Sequence, residues 1–350
     1  MSQTKTRHSK RRRNAMRHLL PVLIVGVLVL ALLVGVLCIV LNNGKNTATG
    51  GSANNNGTED PSGEPPVTTT TTALPTISDE TATQLDTTLT ARHILLYDAT
   101  NDRVLYEKDA DVVCAPASLT KIMTAAVAAK YNTNGATYKV GTEVYLKDLE
   151  ASSAYLQLGM ELTLPQMTQA LLLPSGGDAA YCLAAHTARW VYPDETMSDF
   201  EAATRFCALM NEELKAIGAE NTTFMNPDGM HHTFHVTTAN DMLKILQFAW
   251  QFDAVREALC TPRTAFTTVD GQNLSYTNTN RLLNANYASL YYANAIGGKT
   301  GFTDQAGYCL ASVAEKDGVQ LFAIVLGCAD ENLRFTESTA LYEAGFGITS

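Results

Sequence analysis

Beyond its first 18 residues the chain is poor in positive charge. Seven of its 25 Lys and Arg (Lys5, Arg7, Lys10, Arg11, Arg12, Arg13 and Arg17) lie in that head, which holds no acid, so 25 − 7 = 18 basic residues face 35 Asp and Glu, a balance of −17. A nucleic-acid partner needs a basic surface on the folded part, and this sign excludes one. No CxxC pair occurs, which argues against a structural zinc site. No internal repeat is visible. Charge of either sign is missing altogether from Leu19 to Leu41, 23 residues dominated by Leu and Val. At about 1.5 Å per residue that run spans a hydrocarbon core of about 30 Å, and the positive flank before it holds the N-terminus in the cytoplasm. A cleaved signal peptide fits less well, since its apolar region is usually about 7–15 residues before an A-x-A-like site. Leu37 also stands before Cys38 where a lipoprotein cysteine requires a small residue. The expectation is an uncleaved, single-pass anchor with everything after it outside the cytoplasm.

Six of the seven cysteines (Cys114, Cys182, Cys207, Cys260, Cys309 and Cys328) then fall in the exported part. Disulfides are permitted there, though small buried side chains serve as well in a domain of this size. The expected division is a basic tail over 1–18, an anchor over 19–41, a disordered linker over 42–90 rich in Asn, Gly, Ser, Thr and Pro, and one catalytic domain over 91–350. In that domain, HILLYDA and VLYEKDA read as strands about a turn at Thr100–Arg103. Helices are predicted from Ser118 and over about 165–174, 178–191, 199–217, 239–252 and 332–344. Two apolar strands flank a Lys316-Asp317-Gly318 turn. Strands, a helical middle and strands again predict an α/β arrangement, with one sheet built from both ends of the domain around a helical insert.

Ser118 and Lys121 lie three apart on a predicted helix, hence on one face. A serine nucleophile needs a base, and a lysine whose pKa is lowered by burial or a neighbouring cation can be that base. Alone the pair means little: Ser2 and Lys5 share its spacing in the basic tail, and Ser118 reads equally as a helix cap. Its company is more telling. Ser175 follows in LLLPSGGDAAYCLA, and Lys299 in IGGKTGFTDQAGY. Ser-x-x-Lys, a loop serine and Lys-Thr-Gly, in that order, are the marks of penicillin-binding enzymes. A phosphate loop ending at Gly298-Lys299-Thr300 would need a glycine where Ala293 stands.

Over about 91–345 the chain resembles the D-alanyl-D-alanine carboxypeptidase family of low-molecular-mass penicillin-binding proteins. The resemblance is carried by APASLTKIMTA, LPSGGDAA and GGKTGFTDQAGY, with support from NTTFMNPDGM, TTANDM and NTNRLL. It implies the penicillin-binding-protein/β-lactamase-like transpeptidase fold: an antiparallel sheet flanked by helices, with a helical subdomain. It implies that Ser118 forms an acyl-enzyme with a peptidoglycan stem peptide ending in D-Ala-D-Ala, that Lys121 takes the hydroxyl proton, and that Ser175 relays a proton to the leaving amine. Lys299 would keep the pKa of Lys121 low and, with Thr300, hold the terminal carboxylate. The N–H groups of Ser118 and Phe302 would form the oxyanion hole, and Gly301 would leave room for an added substrate strand. Arg334 in LRFTES stands where an arginine near the carboxylate, or a surface ion pair, is expected. β-Lactam antibiotics would acylate the same serine. No cofactor or metal is expected. His231, His232 and His235 have no matching carboxylate–histidine partner pattern, and His235 falls in a supporting block.

Two departures stand out. The middle motif of the family is Ser-x-Asn, and here it is Ser175-Gly176-Gly177, so a slower or differently selective enzyme is expected; Asp178 beside it reads as a helix cap. Family members carry a β-rich domain and a C-terminal anchor after the catalytic domain. Here the expected anchor is N-terminal, and reach to the wall would come from 42–90. A non-catalytic wall-binding or penicillin-sensing homologue and a β-lactamase are the alternatives, the first supported only by Gly177 and the second lacking a deacylating glutamate motif.

Overall fold

A computed structural model describes residues 78–349 except 195. The expected tail, the anchor and most of the expected linker lie outside these residues; among those described, no helix is long and apolar enough to cross a membrane. The described chain opens with helix α1 (Asp79–Thr88), then strands β1 (His93–Asp98) and β2 (Arg103–Lys108). A 3-10 turn at Ala117–Leu119 leads into α2 (Thr120–Tyr131). The two-residue strands β3 (Tyr138–Lys139) and β4 (Glu161–Leu162) precede α3 (Leu164–Leu172), α4 (Gly177–Val191) and α5 (Asp199–Ala216). Next come α6 (Ala239–Trp250), α7 (Asp253–Cys260) and the hairpin β5 (Arg263–Thr267) and β6 (Asn273–Thr277). Three long strands, β7 (Ala295–Thr303), β8 (Gly307–Lys316) and β9 (Val319–Cys328), and a last helix α8 (Leu333–Thr349) complete it.

The main sheet is antiparallel in the order β2-β1-β9-β8-β7, joining the two ends of the domain as expected. Strands β1, β8 and β9 are buried on both faces, so their period-two alternation separates two cores instead of core from solvent. Along β9, Phe322, Ile324 and Leu326 face the helical insert. Leu321, Ala323 and Val325 join Phe335, Leu341 and Tyr342 of α8 on the opposite face. Lys316 pairs with Val319 across a two-residue turn in which Asp317 (φ 52°) and Gly318 (φ 82°) both have positive φ, the geometry that matches the twist of the strands it joins. In α2 the residues from Thr120 to Ala128 are all buried, as a helix apolar all round must be, so it runs through the centre of the domain.

The structure departs from expectation at residues 79–88 and at the β5–β6 hairpin. Residues 79–88, assigned by composition to the linker, are helical, and Leu85 and Leu89 dock in the same core as α8. The hairpin β5–β6 is not signalled by the sequence because its apolar face is only Phe266, Leu274 and Tyr276, packed on the main core, among otherwise polar or exposed positions. Of the two readings open for the six cysteines of the domain, the structure has them free, four of them buried.

Candidate active site

Ser118 sits in the 3-10 turn, so the helix expected to start there starts at Thr120. Ala117 before it has φ 49°, a conformation that costs a residue with a Cβ on the order of 1–3 kcal/mol and persists only where the surroundings enforce it. They do so here. A Cβ on Gly229 (φ +86°) would lie 2.0 Å from the Ala117 carbonyl oxygen, so only glycine lets that loop close on the turn. A side chain on Gly301 would meet Ala117 Cβ, the Pro116 carbonyl and the Ser118 nitrogen, each at 3.2 Å. The absent side chain at 301 therefore makes room for the turn carrying Ser118.

His235 braces the same turn. The Met225 N–H donates to its Nδ1 at 3.0 Å, so Nε2 carries the ring proton and donates to Thr120 Oγ1 at 2.8 Å; that hydroxyl donates in turn to the Ala117 carbonyl at 2.8 Å. Burial, with His232, Lys121 and His231 nearby, pushes the imidazole pKa down to about 3. Both ring nitrogens are committed to the fold.

Lys121 lies one turn into the protein from Ser118, 1% exposed, with Nζ 2.9 Å from Ser118 Oγ and a short bond to the Asp228 carbonyl. Burial lowers its pKa to about 8, opposed by the carboxylates of Asp228 and Asp178 and assisted by Lys147. Once the amine is neutral, the hydroxyl can donate to its lone pair across the same contact, which is the arrangement a general base requires. Lys299, fully buried on β7, is held well below the ordinary lysine range by burial and by Lys121 and Arg334. Its Nζ donates to the Thr300 carbonyl at 2.8 Å.

A cleft of about 440 Å³ brings together Ser118, Ser175, Thr300, Gly301, Phe302 and Arg334. One wall is β7, the edge of the sheet, where an extended peptide can be added as a further strand. Thr300 and Thr279 share a hydroxyl hydrogen bond of 2.6 Å. Phe302 is 46% exposed and stacks on Tyr308. Arg334 is only 5% exposed; it donates to the Gly301 carbonyl at 3.1 Å and forms an ion pair at 3.0 Å with Glu331, whose side chain is partly exposed, so the place by the cleft and the ion pair occur together. Arg281 meets the same Glu331 oxygen at 2.9 Å. Sequence reading missed Thr279, Arg281, Glu331 and the Asp228 carbonyl as parts of the site. The blocks NTNRLL and NTTFMNPDGM, noticed for another reason, contain three of the four.

Ser175 adopts φ 65° at the opposite wall and is nearly buried. Gly176 is the N-cap of α4. Asp178, expected to cap that helix, does more: it accepts from the N–H groups of Ala154, Leu156 and Ala179 and from the Ser153 hydroxyl, tying the loop before β4 to the start of α4. Gly177 donates its N–H to the Ser152 carbonyl at 2.8 Å.

Away from the cleft, Glu143, Cys182 and His186 place ligand-type atoms within 4.8 Å of one another. Two of these side chains already have partners, since Glu143 accepts from the Gly141 N–H at 2.7 Å and His186 Nε2 donates to the Lys139 carbonyl at 2.8 Å.

The family profile of D-alanyl-D-alanine carboxypeptidases matches residues 79–330. The D-alanyl-D-alanine carboxypeptidase DacF of Bacillus subtilis is 28% identical over 259 residues, which are 73% of this chain and 62% of that protein. A D-alanyl-D-alanine carboxypeptidase of a Streptomyces species is 32% identical over 256 residues, 70% of this chain and 83% of its own length. Among solved structures, a Streptomyces DD-transpeptidase superposes with a TM-score of 0.66 at 30% identity, covering 74% of this chain and 98% of its own. The ampicillin-bound penicillin-binding protein D2 of Listeria monocytogenes superposes with a TM-score of 0.59 at 28% identity over 74% of this chain.

Proposed function

The chain belongs to the D-alanyl-D-alanine carboxypeptidase family of serine peptidases, and on that premise we propose that it removes the terminal D-alanine from peptidoglycan stem peptides through an acyl-enzyme on Ser118. The observation that carries this reading is the 2.9 Å contact between Lys121 Nζ and Ser118 Oγ at the floor of a cleft walled by an open strand edge.

In this reading the peptide lies along β7 with its carboxylate toward Thr300 and Lys299, and Arg334 adds positive charge behind them. Ser118 Oγ attacks the carbonyl carbon of the D-Ala-D-Ala bond while its proton passes to Lys121. The N–H groups of Ser118 and Phe302 receive the oxyanion. The C–N bond then breaks, and the leaving amine takes the proton from Lys121 by way of Ser175. Water, deprotonated by Lys121, attacks the ester, releasing the shortened peptide and restoring the Ser118 hydroxyl. The base works in its neutral form, so acylation should climb with pH through about 8, where the lysine loses its proton. β-Lactams would enter by the same attack and leave a stable ester. The apolar run 19–41, with its basic head, would hold the enzyme at the outer face of the cell membrane.

The test is the intact mass of the full chain after brief exposure to benzylpenicillin. One added penicillin mass is expected on the wild type and none on Ser118→Ala. A folded wild type that takes no adduct would sink the catalytic reading and favour a wall-binding homologue.

A further inference from the structure

The middle motif lacks an amide at 177, and the space beside Gly177 is already filled. Its φ is not in the left-handed region, so the backbone would admit any residue. A Cβ there would nonetheless lie 2.9 Å from Lys147 Cγ and 3.0 Å from Lys147 Cδ, inside the roughly 3.5 Å at which carbon atoms touch. The third near atom, at 3.2 Å, is Asp228 Oδ2, a buried carboxylate oxygen without a hydrogen-bond partner. Lys147 itself is anchored, its Nζ donating to the carbonyls of Asp148 at 2.9 Å and Ala151 at 3.0 Å. Those bonds fold the segment that leads to Glu150 and Ser152 in the cleft wall.

We infer that Lys147 is a positioning residue that takes the place of the missing asparagine: its stem occupies the volume beside Gly177 and its anchored head shapes the 148–152 wall. The inference rests on the catalytic reading above. It makes Lys147 and a side chain at 177 alternatives that cannot share the space. The groups facing Lys121 are the carboxylates of Asp228 and Asp178, the ammonium group of Lys147, the buried amine of Lys299 and the imidazole of His235. Of these, Lys147 is the cation at the mouth of the middle motif, and it acts on Lys121 against protonation.

A double-mutant cycle on the full chain tests this, reading the rate of benzylpenicillin acylation against pH. Gly177→Asn alone should slow acylation roughly tenfold, because the new side chain must displace Lys147, and Lys147→Ala alone should slow it by a similar factor. Combined, they should recover to within about threefold of the wild type, since the amide then has room beside Asp228. Lys147→Met keeps the stem and removes the charge, so its acylation profile should keep its plateau while its acid limb moves to higher pH. A Gly177→Asn variant as fast as the wild type, or a double variant slowed by the product of the two single factors, overturns the exchange of space. A Lys147→Met profile with an unmoved acid limb overturns the charge effect. If Gly177→Asn does not fold, the double variant and Lys147→Met still decide. Absence of acylation in the wild type itself would instead be a failure of the catalytic reading.

Discussion

The turn that carries Ser118 and the turn that carries Ser175 face each other across one cleft, and each holds a non-glycine residue at positive φ, but they are held in different ways. The first is enforced chiefly where backbone meets backbone: Gly229 lies against the Ala117 carbonyl and Gly301 lies against Pro116 and Ser118, with the His235 and Thr120 side chains bracing it from behind. The second relies more on side chains: the Asp178 carboxylate gathers the 153–156 loop and the Lys147 stem fills the space at Gly177, beside one backbone approach in which a Cβ on Gly176 would lie 2.6 Å from the Ala170 carbonyl oxygen. Backbone contacts leave few substitutions open. Side-chain contacts can be exchanged for others of similar reach. The departure from Ser-x-Asn falls at the turn where such exchange is physically cheap, while Ser118, Lys121 and the glycines about them match the family's pattern.

The largest effect should come from placing a side chain where backbone meets backbone. Gly229→Ala puts a methyl group 2.0 Å from the Ala117 oxygen and asks alanine for φ +86°. It should destabilise the domain by about 3 kcal/mol or more and abolish acylation in whatever remains folded, measured by urea unfolding and by the penicillin adduct. A variant that acylates normally would break the contrast between the two turns. The effect next in size belongs to the other side of the cleft. Asp178→Ala strands the Ala154 and Leu156 N–H groups, which are buried in the fold, and should cost about 2–3 kcal/mol. Because this turn depends on side chains, the damage should be local: hydrogen exchange should quicken over 153–156 with the 116–121 turn left protected.

Legibility in the sequence followed range. Ser118 and Lys121 are recognisable because helical spacing puts a hydroxyl and an amine within reach and because a loop serine and Lys-Thr-Gly follow in order; the structure places the pair 2.9 Å apart. The sheet drawn from both chain ends was legible because β8 and β9 are long, apolar and joined by a Lys-Asp-Gly turn. What escaped depends on encounters between distant segments. The Lys121 partner at 228 is a main-chain carbonyl, a group that every residue carries and no side-chain pattern announces. Glu331 gains its place only when Arg281 and Arg334 arrive from segments about 50 residues apart. Helix α1 escaped for a composition reason: in DETATQLDTT the one large apolar residue is Leu85, and its value lies in the pocket under α8.

The smallest effect, and the one that isolates the Ser118 turn most finely, is a pH dependence set by His235. Its folded pKa is pushed down to about 3, against an ordinary value of 6.5, so between these values the unfolded chain holds a proton that the folded protein excludes. Stability therefore rises with pH through this window, is fully present above about 6.5, and is lost as the pH falls below it. From pH 7.5 to 5.5 the loss due to this residue should be about 1.4 kcal/mol, since one unit below the unfolded pKa corresponds to one unit of proton linkage. Carboxylates titrate lower and in both proteins, so the quantity to measure is the difference between wild type and His235→Gln in urea unfolding. Glutamine can accept from the Met225 N–H and donate to Thr120 without binding a proton. The variant should keep its acylation rate near the wild-type value at pH 7.5 and should gain on the wild type by about 1.4 kcal/mol on acidification to pH 5.5. A constant gap at both pH values would mean that the imidazole is not the neutral brace beneath Ala117, and the Ser118 turn would then be held by its glycine contacts without that side-chain support.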